Sequence, residues 1–106
     1  MKTKILVLLL LMAVNAGVYG QSLSGRFVTD DEDSFVEYFV FVRNTVRIRM
    51  DVFGVMRTIS GTFEIEDGEY VVIYTPEGII ELEIEDSNTL IGIGFPVDDV
   101  VFTRRR

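Results

Sequence analysis

Thr62-Phe63-Glu64-Ile65-Glu66-Asp67-Gly68-Glu69-Tyr70-Val71-Val72-Ile73-Tyr74-Thr75 is the stretch that decides the fold. Phe63 and Ile65 alternate with Glu64 and Glu66, then Asp67-Gly68 interrupts, then a second β-prone run follows. Alternation puts one row of side chains in a core and the next in water. Asp-Gly between two such runs marks a hairpin, because a type I′ turn needs positive φ. The same period extends outward. In Thr45 to Val52, Val46, Ile48, Met50 and Val52 alternate with Arg47, Arg49 and Asp51. In Ile80 to Glu85, Ile80, Leu82 and Ile84 alternate with Glu81, Glu83 and Glu85. Turn signals stand at Asp30 to Asp33, Arg43-Asn44, Gly54, Pro76-Glu77-Gly78, Asp86-Ser87-Asn88 and Pro96 to Asp99. They predict eight strands, at 25–29, 35–43, 45–52, 55–66, 69–75, 78–86, 89–95 and 99–105, with a bulge near Ser60-Gly61.

Short antiparallel strands joined by tight links form an up-and-down meander. An open meander leaves two edges bare, and closing it removes both. The expected fold is therefore all-β, an eight-stranded antiparallel meander closing into a small barrel. Eight strands enclose room for side chains or for one small ligand. A two-sheet sandwich is the competing architecture. A membrane barrel fits poorly: its strands would turn Arg47, Arg49, Glu64, Glu66, Glu81, Glu83 and Glu85 either to lipid or into a narrow lumen.

Ahead of the strands lies a different kind of segment. Lys2 and Lys4 precede the apolar run Ile5 to Val14, and small residues follow up to Gly20. This layout predicts a signal peptide over 1–20, leaving a domain over 21–106 and a secreted or periplasmic location. The run is short for a membrane span, so the domain is expected not to cross a membrane once the peptide is removed. The 86 residues beyond Gly20 hold no lysine, 8 arginines and 17 carboxylates, a net charge of −9. Such a surface repels phosphate backbones, so no nucleic-acid partner is expected. Cysteine and histidine are both absent. That removes disulfides, thiolate metal sites, a lipid-bearing cysteine, the commonest metal ligand and the commonest general base.

Certain stretches resemble a known family. Ser22-Leu23-Ser24-Gly25-Arg26-Phe27 resembles the L-x-G-x-W opening of lipocalin-like, or calycin, barrels. Gly61-Thr62-Phe63-Glu64-Ile65-Glu66-Asp67-Gly68 resembles their recurrent strand and turn, and Val101-Phe102-Thr103-Arg104 their closing strand. The chain is similar to the small bacterial lipocalin-like domains. The resemblance implies that Phe27, in place of the family's tryptophan, packs near Arg104 and closes one barrel end. Phenylalanine lacks the indole N–H and offers a cation less area.

Candidate sites follow from the alternation. The inward set is expected to include Phe27, Ile48, Met50, Phe63, Ile65, Leu82, Ile84, Ile91, Ile93 and Phe102. These residues either line a pocket for a small hydrophobic ligand or simply fill the core. Residues 35–42 are apolar on both faces, with Phe35, Phe39 and Phe41 on one of them. Such a strand is either covered or a surface for a protein partner. Asp30-Asp31-Glu32-Asp33 lacks the spacing and glycine of a calcium loop and reads as a solvated turn. No nucleophile–base arrangement and no phosphate-cradling loop is visible, so no metal, cofactor or catalytic residue is assigned and no enzyme is expected. Two functions stand: a binding protein for a small apolar ligand, and an interaction or inhibitor protein using the 35–42 strand or a loop rim above a filled core.

Overall fold

The computed structural model describes residues 23–105, and over them it is β-structure without a helix. The signal-peptide reading of 1–20 lies outside the described residues. Eight antiparallel strands run in chain order: β1 (Gly25–Val28), β2 (Val36–Val42), β3 (Thr45–Val52), β4 (Val55–Glu66), β5 (Tyr70–Thr75), β6 (Gly78–Asp86), β7 (Thr89–Ile93) and β8 (Val101–Arg105). β8 returns to pair with β1, so the meander closes into a barrel rather than splitting into a sandwich.

The sequence period accounts for the wall. On β3, Val46, Ile48 and Met50 are buried while Arg47 between them is exposed. On β6, Ile80 and Leu82 are buried while Glu81 and Glu83 are exposed. Tight turns close the ladders: Asp67 and Gly68 have φ of 55° and 70°, and Phe53 and Gly54 have φ of 52° and 82°. Both pairs occupy the left-handed region that primed hairpin turns demand. The register shifts between Val36 and Tyr38 and between Ile84 and Asp86. Ser60-Gly61, expected to bulge, instead continues the β4 register without a break. Gly61 is small for another reason: a Cβ there would collide with the Tyr74 carbonyl.

Phenylalanine rings fill one part of the interior. Phe27, Phe39, Phe41 and Phe102 are fully buried, and Phe63 packs against them. Ring centroids lie 5.8 Å apart for Phe27–Phe41, 4.9 Å for Phe39–Phe102 and 5.0 Å for Phe41–Phe63, all edge-to-face. Each such contact contributes about 0.5–1.5 kcal/mol beyond the burial of its area. A small domain without disulfides draws its stability from packing of this kind.

Candidate functional site

The two ends of the barrel are built differently. At one end sit the start of β1 and the turns at 43–44, 67–69 and 87–88; at the other, the connections 29–35, 53–54, 76–77 and 94–100. The first end is tied shut by Arg104. Its guanidinium carbon lies 4.7 Å from the centre of the Phe27 ring. The same group donates to the Ser87 carbonyl at 2.8 Å, to Asn88 Oδ1 at 3.0 Å and to the Ser24 carbonyl. Phe27 and Arg104 are Cα partners across the β1–β8 seam, so the register itself brings them together. Leu23, buried, packs into the core at this end.

The other end is open. A cleft of about 560 Å³ lies there, bounded by Phe35, Met50 to Gly54, Thr75, Glu77 to Ile80, Phe95 and Pro96. That volume lies within the range of small-molecule sites. Its walls are apolar, and its rim carries apolar side chains held in water: Phe53 is 96% exposed, Phe95 81% and Ile79 57%. Phe35 and Phe95 form an edge-to-face pair at 5.5 Å. Phe53 stands at positive φ on the tip of the β3–β4 turn, a place where asparagine or glycine is favoured. An aromatic ring there gives up local turn stability and gains no burial within this chain.

Polar groups at the mouth are mostly acidic. Asp51 and Glu77 border the cleft, and Asp30 to Asp33, Asp98 and Asp99 lie on neighbouring connections. Asp51 accepts a hydrogen bond from the Gly54 amide at 2.6 Å, which fastens the turn beneath Phe53. The acidic loop is ordered by its own side chains: Asp33 donates its amide to Asp31 Oδ1 at 2.9 Å, and Asp31 donates its amide to Thr29 Oγ1 at 3.0 Å. Among the described residues no group of three or more His, Cys, Asp or Glu is arranged to hold a metal ion.

The residues expected to line a pocket separate into groups. Phe27, Ile48, Leu82 and Phe102 are fully buried in the packed interior. Phe63, Ile65 and Ile84 are partly buried against it. Met50 alone of the set reaches the cleft. Ile91 and Ile93, expected inside, stand on the outer face as Cα partners of Glu83 and Glu81. The inward positions of β7 are Leu90 and Gly92. Gly92 is inward because the 94–100 link folds back upon it. The Gly92 amide donates to the Val100 carbonyl at 2.8 Å, and the Asp99 amide donates to the Gly92 carbonyl at 2.9 Å. A Cβ at Gly92 would collide with the Val97 carbonyl, and Val97 is fully buried.

The strand expected to offer three phenylalanines on one face does not do so. The bulge between Val36 and Tyr38 reverses the alternation, so Val36, Phe39 and Phe41 all point inward and are buried. Phe35 is left at the mouth, 46% exposed. The rim residues Phe53, Ile79 and Phe95 were not singled out from sequence. The available signal was an aromatic residue in the turn position before Gly54, and a second one between Gly94 and Pro96.

Away from the mouth, Tyr74 lies on the outer face and donates to Glu64 Oε1 at 3.4 Å. Partial desolvation, then the carboxylates of Glu64, Glu66 and Glu81, push its hydroxyl above the ordinary tyrosine value. Among the described residues no helix is long and apolar enough to cross a membrane. No protein-family model, no curated protein and no solved structure matches this chain.

Proposed function

We propose that this chain is an exported, non-catalytic, lipocalin-like binding protein that takes a small apolar ligand at the open end of its barrel. The observation that carries this reading is the apolar cleft of about 560 Å³, with Phe35, Phe53 and Phe95 around it, at the end that Arg104 does not close. The ligand sits above the packed phenylalanines rather than among them, because the inward Val97 and the fully buried rings occupy the interior. Export rests on Lys2, Lys4 and the apolar run Ile5 to Val14. The exposed carboxylates of Glu64, Glu66, Glu81, Glu83 and Glu85 on the outer wall support a domain bathed in water rather than lipid. Asp51 and Glu77 at the cleft disfavour a ligand with an anionic head.

Calorimetric titration with decanol, decyltrimethylammonium and decanoate, each below its aggregation limit, tests the reading. Saturable binding of decanol and decyltrimethylammonium, with decanoate weaker, is the expected result. No saturable binding of any of the three would overturn it.

One observation favours a second reading, a protein-binding role for the same loop rim: Phe53 and Phe95 are 96% and 81% exposed. Isolation of a stoichiometric protein partner that is lost on Phe53→Ser and Phe95→Ser substitution would favour it over the first.

A further inference from the structure

β4 is longer than its neighbour. Residues Thr45 to Val52 of β3 pair with Val55 to Thr62, but pairing of β4 with β5 begins only at Thr62 opposite Tyr74. Extending that register would set Pro76 opposite Ser60, and proline has no N–H to donate. The chain turns away there into β6. Val55 to Ser60 therefore form a strand with one side unpaired inside an otherwise closed barrel.

The turn fixes which backbone groups are free. Phe53-Gly54 is a two-residue turn, so Val52 and Val55 exchange hydrogen bonds across it. Alternation then aims the groups of Val55, Arg57 and Ile59 at β3 and those of Met56, Thr58 and Ser60 away from it. Among the described residues no loop supplies a backbone partner for this side. Proteins blunt such an edge with proline, a bulge or a covering loop. This one is straight in register, free of proline, and exposed at Val55, Met56, Arg57 and Thr58.

Charge selects the occupant. The chain is strongly acidic overall, yet three arginines gather on this hairpin. Arg47 lies opposite Ser60 and Arg49 opposite Thr58 on the outer face, while Arg57 lies on the inner face opposite Met50. Arg49 lies 3.8 Å from Glu37 in an exposed ion pair and donates to Thr58 Oγ1 at 3.3 Å, while Arg47 and Arg57 form no ion pair among the described residues. The small side chain of Ser60 leaves Arg47 open toward a strand laid alongside, and the Thr58 hydroxyl holds Arg49 across β4 toward the same edge. A second copy of this edge would bring like charges together, which is unfavourable across strands.

We infer that the free edge of β4 receives an extended segment of another protein by strand addition, and that this segment alternates carboxylate and apolar side chains. Main-chain hydrogen bonds to Met56, Thr58 and Ser60 supply the binding, and the outer-face Arg47 and Arg49 supply the selection of the carboxylate row. The inference does not depend on the cleft and stands if no small ligand binds there.

The test is fluorescence anisotropy of labelled short peptides with the full domain. A peptide alternating glutamate and valine is expected to bind saturably, and its lysine–valine counterpart roughly tenfold more weakly. Thr58→Pro removes an N–H that faces away from β3, so the hairpin keeps its ladder while the central donor is lost. It should abolish binding, with an unchanged circular dichroism spectrum showing that the fold survives. Arg47→Gln with Arg49→Gln, the pair on the outer face where the carboxylate row lies, should remove the charge preference and leave the fold intact. Equal affinity for both peptides, undiminished binding by folded Thr58→Pro, absence of binding, or self-association of the free protein through this edge would each overturn the inference.

Discussion

The end held by Arg104 and the end ringed by Phe35, Phe53 and Phe95 use aromatic residues in opposite ways. At the first, Phe27 is fully buried under a guanidinium that donates three hydrogen bonds within the chain itself. At the second, Phe53 is 96% exposed on a backbone position that suits another residue. The same side chain serves cohesion in one place and is held out to solvent in the other. The contrast teaches that, in so small a barrel, packed and solvent-facing aromatic residues are separated by height along the axis rather than by strand, and the proposed binding falls at the solvent-facing end.

Substitutions that act on one end only can break that comparison. The largest effect belongs to the packed interior: Phe39→Ala should cost about 3–5 kcal/mol, because a void opens among rings that cannot collapse into it. Phe95→Ala at the rim, which loses its exposed edge-to-face contact with Phe35, should cost about 1 kcal/mol or less. Urea midpoints measured in parallel would show the difference, and equal losses would contradict the separation. Next comes Arg104→Gln, which removes the ring contact and the charged hydrogen bonds to Ser24, Ser87 and Asn88. It should cost about 2 kcal/mol while leaving decanol affinity unchanged.

A smaller effect, of opposite sign, sharpens the contrast. Phe53→Asn should raise stability by about 1 kcal/mol, since asparagine tolerates positive φ, and should weaken ligand binding at the same time. Urea unfolding and calorimetric titration of one preparation would check both signs. The smallest effect is expected at alkaline pH. Partial desolvation and then the Glu64 carboxylate raise the Tyr74 hydroxyl above its ordinary value of 10.0. The folded chain then keeps a proton that the unfolded chain releases, so this contribution is intact below pH 10 and is lost as pH rises through the folded value. Unfolding measured on either side of pH 10 should show part of that loss missing in Tyr74→Phe.

The barrel wall was legible in the sequence wherever apolar and charged residues alternate strictly, as from Val46 to Val52 and from Ile80 to Glu85. It was not legible where both parities are apolar or small. In residues 35–42 nothing marks the bulge at Val36–Tyr38, and a one-residue shift sends Phe39 and Phe41 inward. In β7, Ile91 and Ile93 together carry more apolar side chain than Leu90 and Gly92, so size alone points to the wrong face. Gly92 is decided by Val97, which lies in a connection that sequence reading treats as surface. The contact between Phe27 and Arg104 was accessible only through family resemblance. The cleft was missed because it is made by turn tips, and turn chemistry describes a backbone rather than the side chain it holds out.

Amide chemical-shift mapping during titration of the isotopically labelled domain with decanol tests the division of the barrel most directly. The predicted result is a set of saturable shifts confined to Phe35, Asp51 to Gly54, Glu77 to Ile80 and Phe95, with Ser24, Ser87, Asn88 and Arg104 unmoved. Shifts centred on Phe27 and Arg104, or spread evenly through both ends, would contradict it.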